Sequence, residues 1–310
     1  MNQQHLLGMT LSEIQNTILE IGLPKFTAKQ ITDWVYVKRV KSIDEMTNIS
    51  VRNRDILKKR FDVGRVEPVA VKNGKFIESV NIPEEERLTI CVSSQVGCKM
   101  DCSFCMTGKM GFLGSLTVNE ILNQVYSVPN AEALTNLVFM GMGEPLNNFD
   151  SVMKAIELLT ADYALAWSPK RITLSTIGVI PNQREKLMPI EKTFKAADII
   201  GLLREYDWSH QRRLSFEYIM FDGLNDAPVY ARELSKLLSG LDCRINLIRF
   251  HKIPGSDLSP STEETMVRFR DFLTAKGFTC TIRASRGEDI FAACGMLSTT
   301  KEPGARTEDG

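Results

Sequence analysis

The chain has 310 residues, 43% hydrophobic and 25% charged, a composition typical of a globular protein with one large domain and a small accessory one. Its formal net charge of +0 excludes a uniformly basic nucleic-acid-binding surface, so any RNA contact must come from local patches. Seven cysteines, no apolar stretch of membrane-spanning length and no signal-peptide pattern at the start predict a reduced, cytoplasmic protein without membrane partners.

Residues 1–62 are predicted to form a small helical domain. Thr10 is placed to cap a first helix, a second helix begins near Pro24, and a third covers residues 51–61. Cationic side chains are concentrated here, and two interpretations stay open: a solvated helical surface or an RNA contact. These cations are Lys25, Lys29, Lys38, Arg39, Lys41, Arg52, Arg54, Lys58, Lys59 and Arg60.

Residues 63–90 are predicted to form a β-hairpin extension. Asn73 and Gly74 make a strong two-residue turn between two short apolar stretches. Glu78 follows between apolar neighbours, where a glutamate is ordinarily the outward residue of a strand. A buried strand over residues 88–92 then contains Cys91 and leads into a loop rich in cysteine.

Three cysteines at CxxxCxxC spacing form this loop: Cys98, Cys102 and Cys105. Three thiolates can hold three irons of a [4Fe–4S] cluster and leave the fourth iron open to a small molecule. The alternatives are a zinc site or cysteines packed in a core, but zinc needs a nearby fourth ligand, and no His or Cys follows before His210. With Phe104 before the last cysteine, the pattern is typical of radical S-adenosylmethionine (SAM) enzymes.

Strands and helices alternate after the cysteine loop, which predicts an α/β fold of parallel strands with helical crossovers. Ligands bind at the carboxyl ends of such strands. Gly143 and Glu144 follow a strand over residues 137–140, where glycine permits close approach and the carboxylate can accept from an ammonium group. Ser175 ends the next strand and can bond a ribose or a carboxylate. Further strands are predicted at 214–221, 243–251 and 278–285, and helices at 192–206, 227–239 and 262–276.

Five stretches of the chain resemble one enzyme family. They are CVSSQVGCKMDCSFCMTGKMGF (91–112), FMGMGEPLNN (139–148), RITLSTIG (171–178), NLIRF (246–250) and RASRGEDIFAACGML (283–297). Together they resemble the radical-SAM adenosine-C2 RNA methyltransferases, the RlmN/Cfr family, and are nearer its RlmN branch than its resistance branch. The resemblance implies a radical-SAM partial barrel over residues 91–297. The remaining residues, 298–310, are predicted to form a disordered tail.

The resemblance also implies cofactors, substrates and residue roles. Cys98, Cys102 and Cys105 would hold a [4Fe–4S] cluster, and SAM would lie against Gly143, Glu144, Ser175, His251 and Phe104. Cys294 would accept a methyl group, a SAM-derived radical would activate it for attack on C2 of adenine, Cys91 would release the product by disulfide formation, and Glu78 would act as acid–base residue. The expected partners are 23S rRNA, tRNA as a second substrate, and an electron donor such as flavodoxin.

Two departures from the family pattern bear on this expectation. His251 stands where the family has an asparagine that contacts SAM, and imidazole can still make one hydrogen bond there. After Pro181 the family continues through a helix and a strand ending in Ser-Leu-His, a tripeptide that this chain lacks. About 20 residues are therefore expected to be missing, the size of one βα unit. The predicted fold is an incomplete (β/α) barrel with a single crossover from strand 171–176 through helix 192–206 to strand 214–221.

Three functional hypotheses follow. The first is an active RNA methyltransferase that tolerates the shorter barrel. The second is a non-catalytic descendant that keeps the cluster and an RNA-binding surface. The third is a different radical-SAM enzyme such as a glycyl-radical activase, which the pair of Cys91 and Cys294 disfavours because an activase needs neither thiol.

Overall fold

The computed structural model describes residues 3–66, 77–84, 86–176, 196–208 and 214–283. Four sequence-based predictions therefore lie outside the described residues. They are the turn at Asn73 and Gly74, the shortened segment after Pro181, the candidate nucleophile Cys294 and the tail 298–310. Within the described residues, no helix is long and apolar enough to cross a membrane.

The amino-terminal segment is helical, as predicted, and two short parallel strands close it. Thr10 caps the first helix as expected, because its hydroxyl accepts from the Glu13 amide while the Glu13 carboxylate accepts from the Thr10 amide. The second helix passes directly into a wider π-helical turn over Asp33–Val37. The elements are β1 (Gln4–His5), α1 (Leu11–Glu20), α2 (Thr27–Thr32), α3 (Val51–Lys58) and β2 (Phe61–Asp62).

The middle of the chain builds a four-stranded, mostly parallel sheet, called the first sheet below. Its strand order is β3-β4-β7-β8, with β3 antiparallel to β4 and the other pairs parallel. Thr117 caps α5 through a capping box with Glu120. The elements are β3 (Val80–Glu84), β4 (Arg87–Cys91), β5 (Gln95–Gly97), α4 (Met106–Lys109), β6 (Phe112–Ser115), α5 (Val118–Tyr126), β7 (Asn136–Phe139), α6 (Phe149–Thr160) and β8 (Ile172–Leu174).

The last third of the chain builds a second parallel sheet of order β11-β10-β9. Within the described residues, β8 pairs only with β7, and β9 only with β10, so no pairing there joins the two sheets. The predicted crossover from β8 to β9 thus lacks a direct strand pair in the described part of the chain. The elements are α7 (Ala196–Glu205), β9 (Leu214–Met220), α8 (Pro228–Leu237), β10 (Cys243–Arg249), α9 (Glu263–Ala275) and β11 (Thr279–Ile282).

Two large apolar cores accompany the two sheets. The first runs without interruption from Leu6 in the amino-terminal segment to Trp167 just before β8. The second lies between β9–β11 and their helices, from Ile200 to Cys280. The helical segment is consequently packed as part of the first sheet's core.

Candidate functional site

A short antiparallel hairpin of β5 and β6 closes the cysteine loop, an arrangement that the sequence analysis did not predict. Gly97 has φ +71°, and a Cβ at this position would lie 1.8 Å from the carbonyl oxygen of Gly111. The Cys98 amide donates to that same oxygen at 3.2 Å. Only glycine fits at position 97, and the close approach fixes both ends of the loop that carries the thiols.

The three thiols line this loop without converging on one point. Cys102 is buried, and Cys98 and Cys105 are half-buried. The described residues contain no group of three or more His, Cys, Asp or Glu side chains placed to hold a single metal ion. A [4Fe–4S] cluster binds each thiolate through a different iron, so it does not require the thiols to share one ligand-binding point.

An unpaired hydroxyl inside the loop fits a cluster. The Ser103 Oγ is buried and has no hydrogen-bond partner among the described residues. A buried hydroxyl without an acceptor costs about 1–3 kcal/mol, and a thiolate or sulfide beside Cys102 and Cys105 would supply the acceptor. Burial, together with the nearby Cys105 and Glu144, raises the pKa of Cys98 to about 11, so this thiol needs a cation beside it to ionise at neutral pH.

Glu144 is a buried carboxylate held in place near the cysteine loop. Its amide donates to the Gln95 Oε1 at 3.1 Å, and its own Oε1 accepts from Thr176 Oγ1 at 2.7 Å. Gly143 has φ +95° and lies so close to Gln95 that a Cβ would be 2.5 Å from the Gln95 Cβ. Sequence reasoning missed Thr176, because a single hydroxyl that contacts a residue 32 positions away leaves no periodic pattern.

The remaining predicted SAM contacts lie at the carboxyl ends of β8 and β10 and in the cysteine loop. Ser175 is half-buried just after β8, and His251 is half-buried two residues beyond β10. Phe104 of the cysteine loop stacks on Phe221 with ring centroids 5.6 Å apart, and Phe221 contacts Phe250, next to His251, at 5.0 Å. The cysteine loop is therefore packed against the second sheet at the edge where His251 lies.

Cys91 and Glu78 come to the same end of the first sheet. Cys91 is the last residue of β4, pairs with Val80 of β3 and is 8% exposed. Glu78 lies two residues before that pair and is half-buried. Cys294, the third predicted catalytic residue, is outside the described residues, so its distance to Cys91 stays a prediction.

Comparisons with known proteins agree over almost the whole chain. The ribosomal RNA large subunit methyltransferase N-terminal domain matches residues 4–63, and the radical SAM superfamily matches residues 92–202. A Bacteroides fragilis protein named probable dual-specificity RNA methyltransferase RlmN is 54% identical over 333 residues, which cover 96% of this chain and 97% of the relative. The chain belongs to the RlmN family.

More distant relatives give the same result. The dual-specificity RNA methyltransferase RlmN of Syntrophus aciditrophicus is 37% identical, covering 96% of this chain and 97% of its own. A crystal structure of a radical SAM methyltransferase from Sphaerobacter thermophilus has a TM-score of 0.84 and 32% identity, covering 96% of this chain and 99% of the other. The resemblance found in the sequence is confirmed, and with it the α/β radical-SAM methyltransferase fold with a helical amino-terminal domain.

One further contact in this RlmN-family chain joins the two sheets and was not predicted. Arg283, just after β11, donates to the Glu217 Oε2 at 3.3 Å. The same guanidinium lies 3.6 Å from the sulfur of Met140, just after β7. Arg283 begins the motif that contains Cys294, so the start of that motif is anchored to both sheets.

The cationic surface of the amino-terminal segment is partly neutralised within the segment itself. Three of its cations form ion pairs at 2.7–3.0 Å with acidic neighbours. Exposed pairs of this kind contribute little to stability and remain available to exchange partners. The pairs are Lys38 with Asp33, Lys58 with Asp44, and Arg60 with Glu20.

Proposed function

We propose that the chain methylates C2 of an adenine in 23S rRNA, and of tRNA as a second substrate, by the radical-SAM route. The observation that best supports this proposal is the cysteine loop. It is closed by its own hairpin and lies beside the buried Glu144 at the carboxyl ends of the strands. Relatives with half or more of their residues identical carry the dual-specificity methyltransferase name. Nothing in these comparisons supports the non-catalytic alternative.

The residues of the cysteine loop fit a [4Fe–4S] cluster held by Cys98, Cys102 and Cys105. When bound, this cluster supplies the electron that cleaves SAM and thereby gives the hydrogen-abstracting radical. Glu144 would accept from the SAM ammonium group, since its carboxylate is fixed by its other contacts. Gly143, Ser175, His251 and Phe104 complete the proposed SAM contacts along the same edge.

Three further residues carry the proposed transfer itself. Cys294 would first take a methyl group by displacement; after loss of one hydrogen atom to the SAM-derived radical, its S-methylene would bond to adenine C2. The adduct radical would give up one electron, for which the oxidised cluster is an acceptor, and Glu78 would then act as the acid–base residue for the C2 proton. The Cys91 thiolate then attacks the Cys294 sulfur, so the S–S bond forms, the S–C bond breaks and the released carbon takes up a proton. The target adenine must be turned out of its stack to reach this site.

We also propose that this barrel lacks one βα unit. Two observations support the proposal: the Bacteroides fragilis relative aligns over 333 residues, more than the 310 of this chain, and β8 and β9 each have an unpaired edge within the described residues. The domain divisions 1–62, 63–90, 91–297 and 298–310 remain part of this proposal. So do a cytoplasmic location and a flavodoxin-like electron donor.

Deuterated-methyl SAM tests the proposed route. We expect the product methyl to carry two deuteriums, since one is lost during hydrogen abstraction. Cys294→Ala should abolish transfer, and Cys91→Ala should trap RNA on the protein through a methylene. Cys280→Ala is the matched control, because this thiol is buried in the second core away from the site. Transfer of an intact trideuteromethyl group would rule the route out.

A further inference from the structure

A buried polar network continues the contact between β3 and β4 beyond the last backbone pair. The antiparallel ladder ends where Val80 pairs with Cys91. Beyond this point the Gln124 side chain of α5 lies between the two segments. Its Oε1 accepts from the Ser93 amide at 2.7 Å and from Ser79 Oγ at 2.8 Å, and its Nε2 donates to the Ser93 carbonyl at 2.8 Å. Gln124 thus takes the place of missing strand–strand hydrogen bonds.

Ser93 extends the same network to two more segments. Its hydroxyl donates to the carbonyl oxygen of Glu78 at 2.9 Å and accepts from the Met142 amide at 2.9 Å. Its one proton is therefore committed to the Glu78 backbone. Ser93 is 0% exposed and Gln124 is 7% exposed, so water cannot easily replace these contacts.

The close approach of Gly141 shows how little room this network has. A Cβ on Gly141 would lie 2.7 Å from the Ser93 Oγ and 2.7 Å from the Val92 carbonyl oxygen. The Ser93 hydroxyl is thus held between a glycine backbone and the Glu78 carbonyl. Its position, and with it the position of Glu78, is fixed by packing as well as by hydrogen bonds.

We infer that Ser93 and Gln124 are positioning residues that set Glu78 relative to Cys91 for release of the methylated RNA. Continued alternation of side chains from Val80 places Glu78 on the sheet face of Cys91. Glu78 and Cys91 act in the last steps of the proposed route. The hydrogen-bond network of Ser93 and Gln124 joins the two segments that contain them. This inference rests on the proposed function. It predicts a defect confined to the steps after RNA is bonded to Cys294.

The sharpest test compares two adjacent serines in the full-length, cluster-loaded protein. Ser93→Ala removes a hydroxyl with two partners, whereas Ser94→Ala removes a hydroxyl that is buried, 2% exposed for the residue, and has no partner among the described residues. We expect Ser93→Ala to slow decay of the covalent RNA–protein adduct by roughly 10- to 100-fold, the range that a misplacement of about 1 Å produces. In Ser94→Ala the adduct should decay at the same rate as in the unaltered protein.

Earlier steps provide the readout that a merely structural role would disturb. Iron content, 5′-deoxyadenosine formation and methylation of Cys294, followed by peptide mass spectrometry, should all stay within about twofold in Ser93→Ala. In a Cys91→Ala background, where release is already blocked, Ser93→Ala should leave the amount of trapped adduct unchanged. Loss of adduct there, or equal decay in Ser93→Ala and Ser94→Ala, would overturn the inference.

A second variant covers the case in which Ser93→Ala folds poorly. Gln124→Glu keeps the two acceptor contacts but, when ionised, cannot donate to the Ser93 carbonyl. Burial raises the pKa of such a carboxyl, and its protonated form regains the donor. The adduct should decay more slowly than in the unaltered protein measured at the same pH, and this deficit should shrink as pH falls. A deficit independent of pH would count against the inference. Absence of Cys294 methylation in every variant and in the unaltered protein would instead refute the proposed function.

Discussion

Replacement of Gly97 by alanine tests whether the β5–β6 hairpin holds the cysteine loop in its iron-binding form. Gly111, on the other side of the hairpin, is the matched control. Both glycines have a similar positive φ, +71° and +69°. A Cβ on Gly97 would meet the Gly111 carbonyl oxygen at 1.8 Å, whereas a Cβ on Gly111 would meet nothing within 4 Å. The two substitutions share backbone strain and differ only in the collision.

The structure gives the expected size of each effect. The left-handed conformation costs a residue with a Cβ about 1–2 kcal/mol, which applies to both variants. In Gly97→Ala the Gly111 carbonyl must also withdraw by more than about 1 Å to reach any normal contact distance. That movement breaks its hydrogen bond from the Cys98 amide, worth about 1 kcal/mol. Metal sites tolerate displacements of only about 0.2 Å in their ligand distances.

Iron content and thermal unfolding after anaerobic reconstitution measure the two effects separately. Gly111→Ala should bind iron as the unaltered protein does and unfold a few degrees lower, at about 2–4 °C per kcal/mol. Gly97→Ala should lose most of its iron and the visible absorbance of the cluster. Equal iron content in the two variants would refute the reasoning, because it would show that the loop binds iron without the close approach of Gly97 to Gly111.

Three other predictions concern separate contacts. Thr176→Val should raise the Kd for SAM about tenfold, as measured by calorimetry, because it removes a hydrogen bond that holds the Glu144 carboxylate. Glu217→Gln should reduce methylation of Cys294 while iron binding is retained, since it weakens the anchor of Arg283; unchanged Cys294 methylation would contradict this. Tyr36→Phe should lower the unfolding free energy by about 1–3 kcal/mol, because it leaves two backbone partners of a fully buried hydroxyl unpaired, and should not alter SAM affinity.

Much of the fold could be predicted from the sequence because its causes are local. Thr10 begins α1 as predicted, since a cap is decided within four residues. The predicted strand at 214–221 is found at Leu214–Met220, because alternating burial along a strand appears directly in the residue order. The loop of the three cysteines was also predicted, because their CxxxCxxC spacing appears directly in the residue order.

The features that escaped prediction depend on partners far along the chain. The hairpin around the cysteine loop has strands of only three and four residues, too short for a periodic pattern. Gln124 and Ser93 are 31 positions apart, and nothing in the residues around either one predicts the pairing. Such contacts follow from the packing of α5 against the sheet, which has to be known before they can be inferred.

The division of the apolar interior into two large cores has a consequence for how the protein opens. A third, small cluster of Phe221, Phe250 and Ile253 lies where the halves meet, and Phe104 and Met106 of the cysteine loop pack against it. These two side chains flank Cys105, so a [4Fe–4S] cluster held there would also order the surface on which the second half rests. Removal of iron should therefore increase amide hydrogen exchange in β9 and β10 before it does so in β4 and β7. The [4Fe–4S] cluster would then hold two cooperative folding units together, in addition to its role in the reaction.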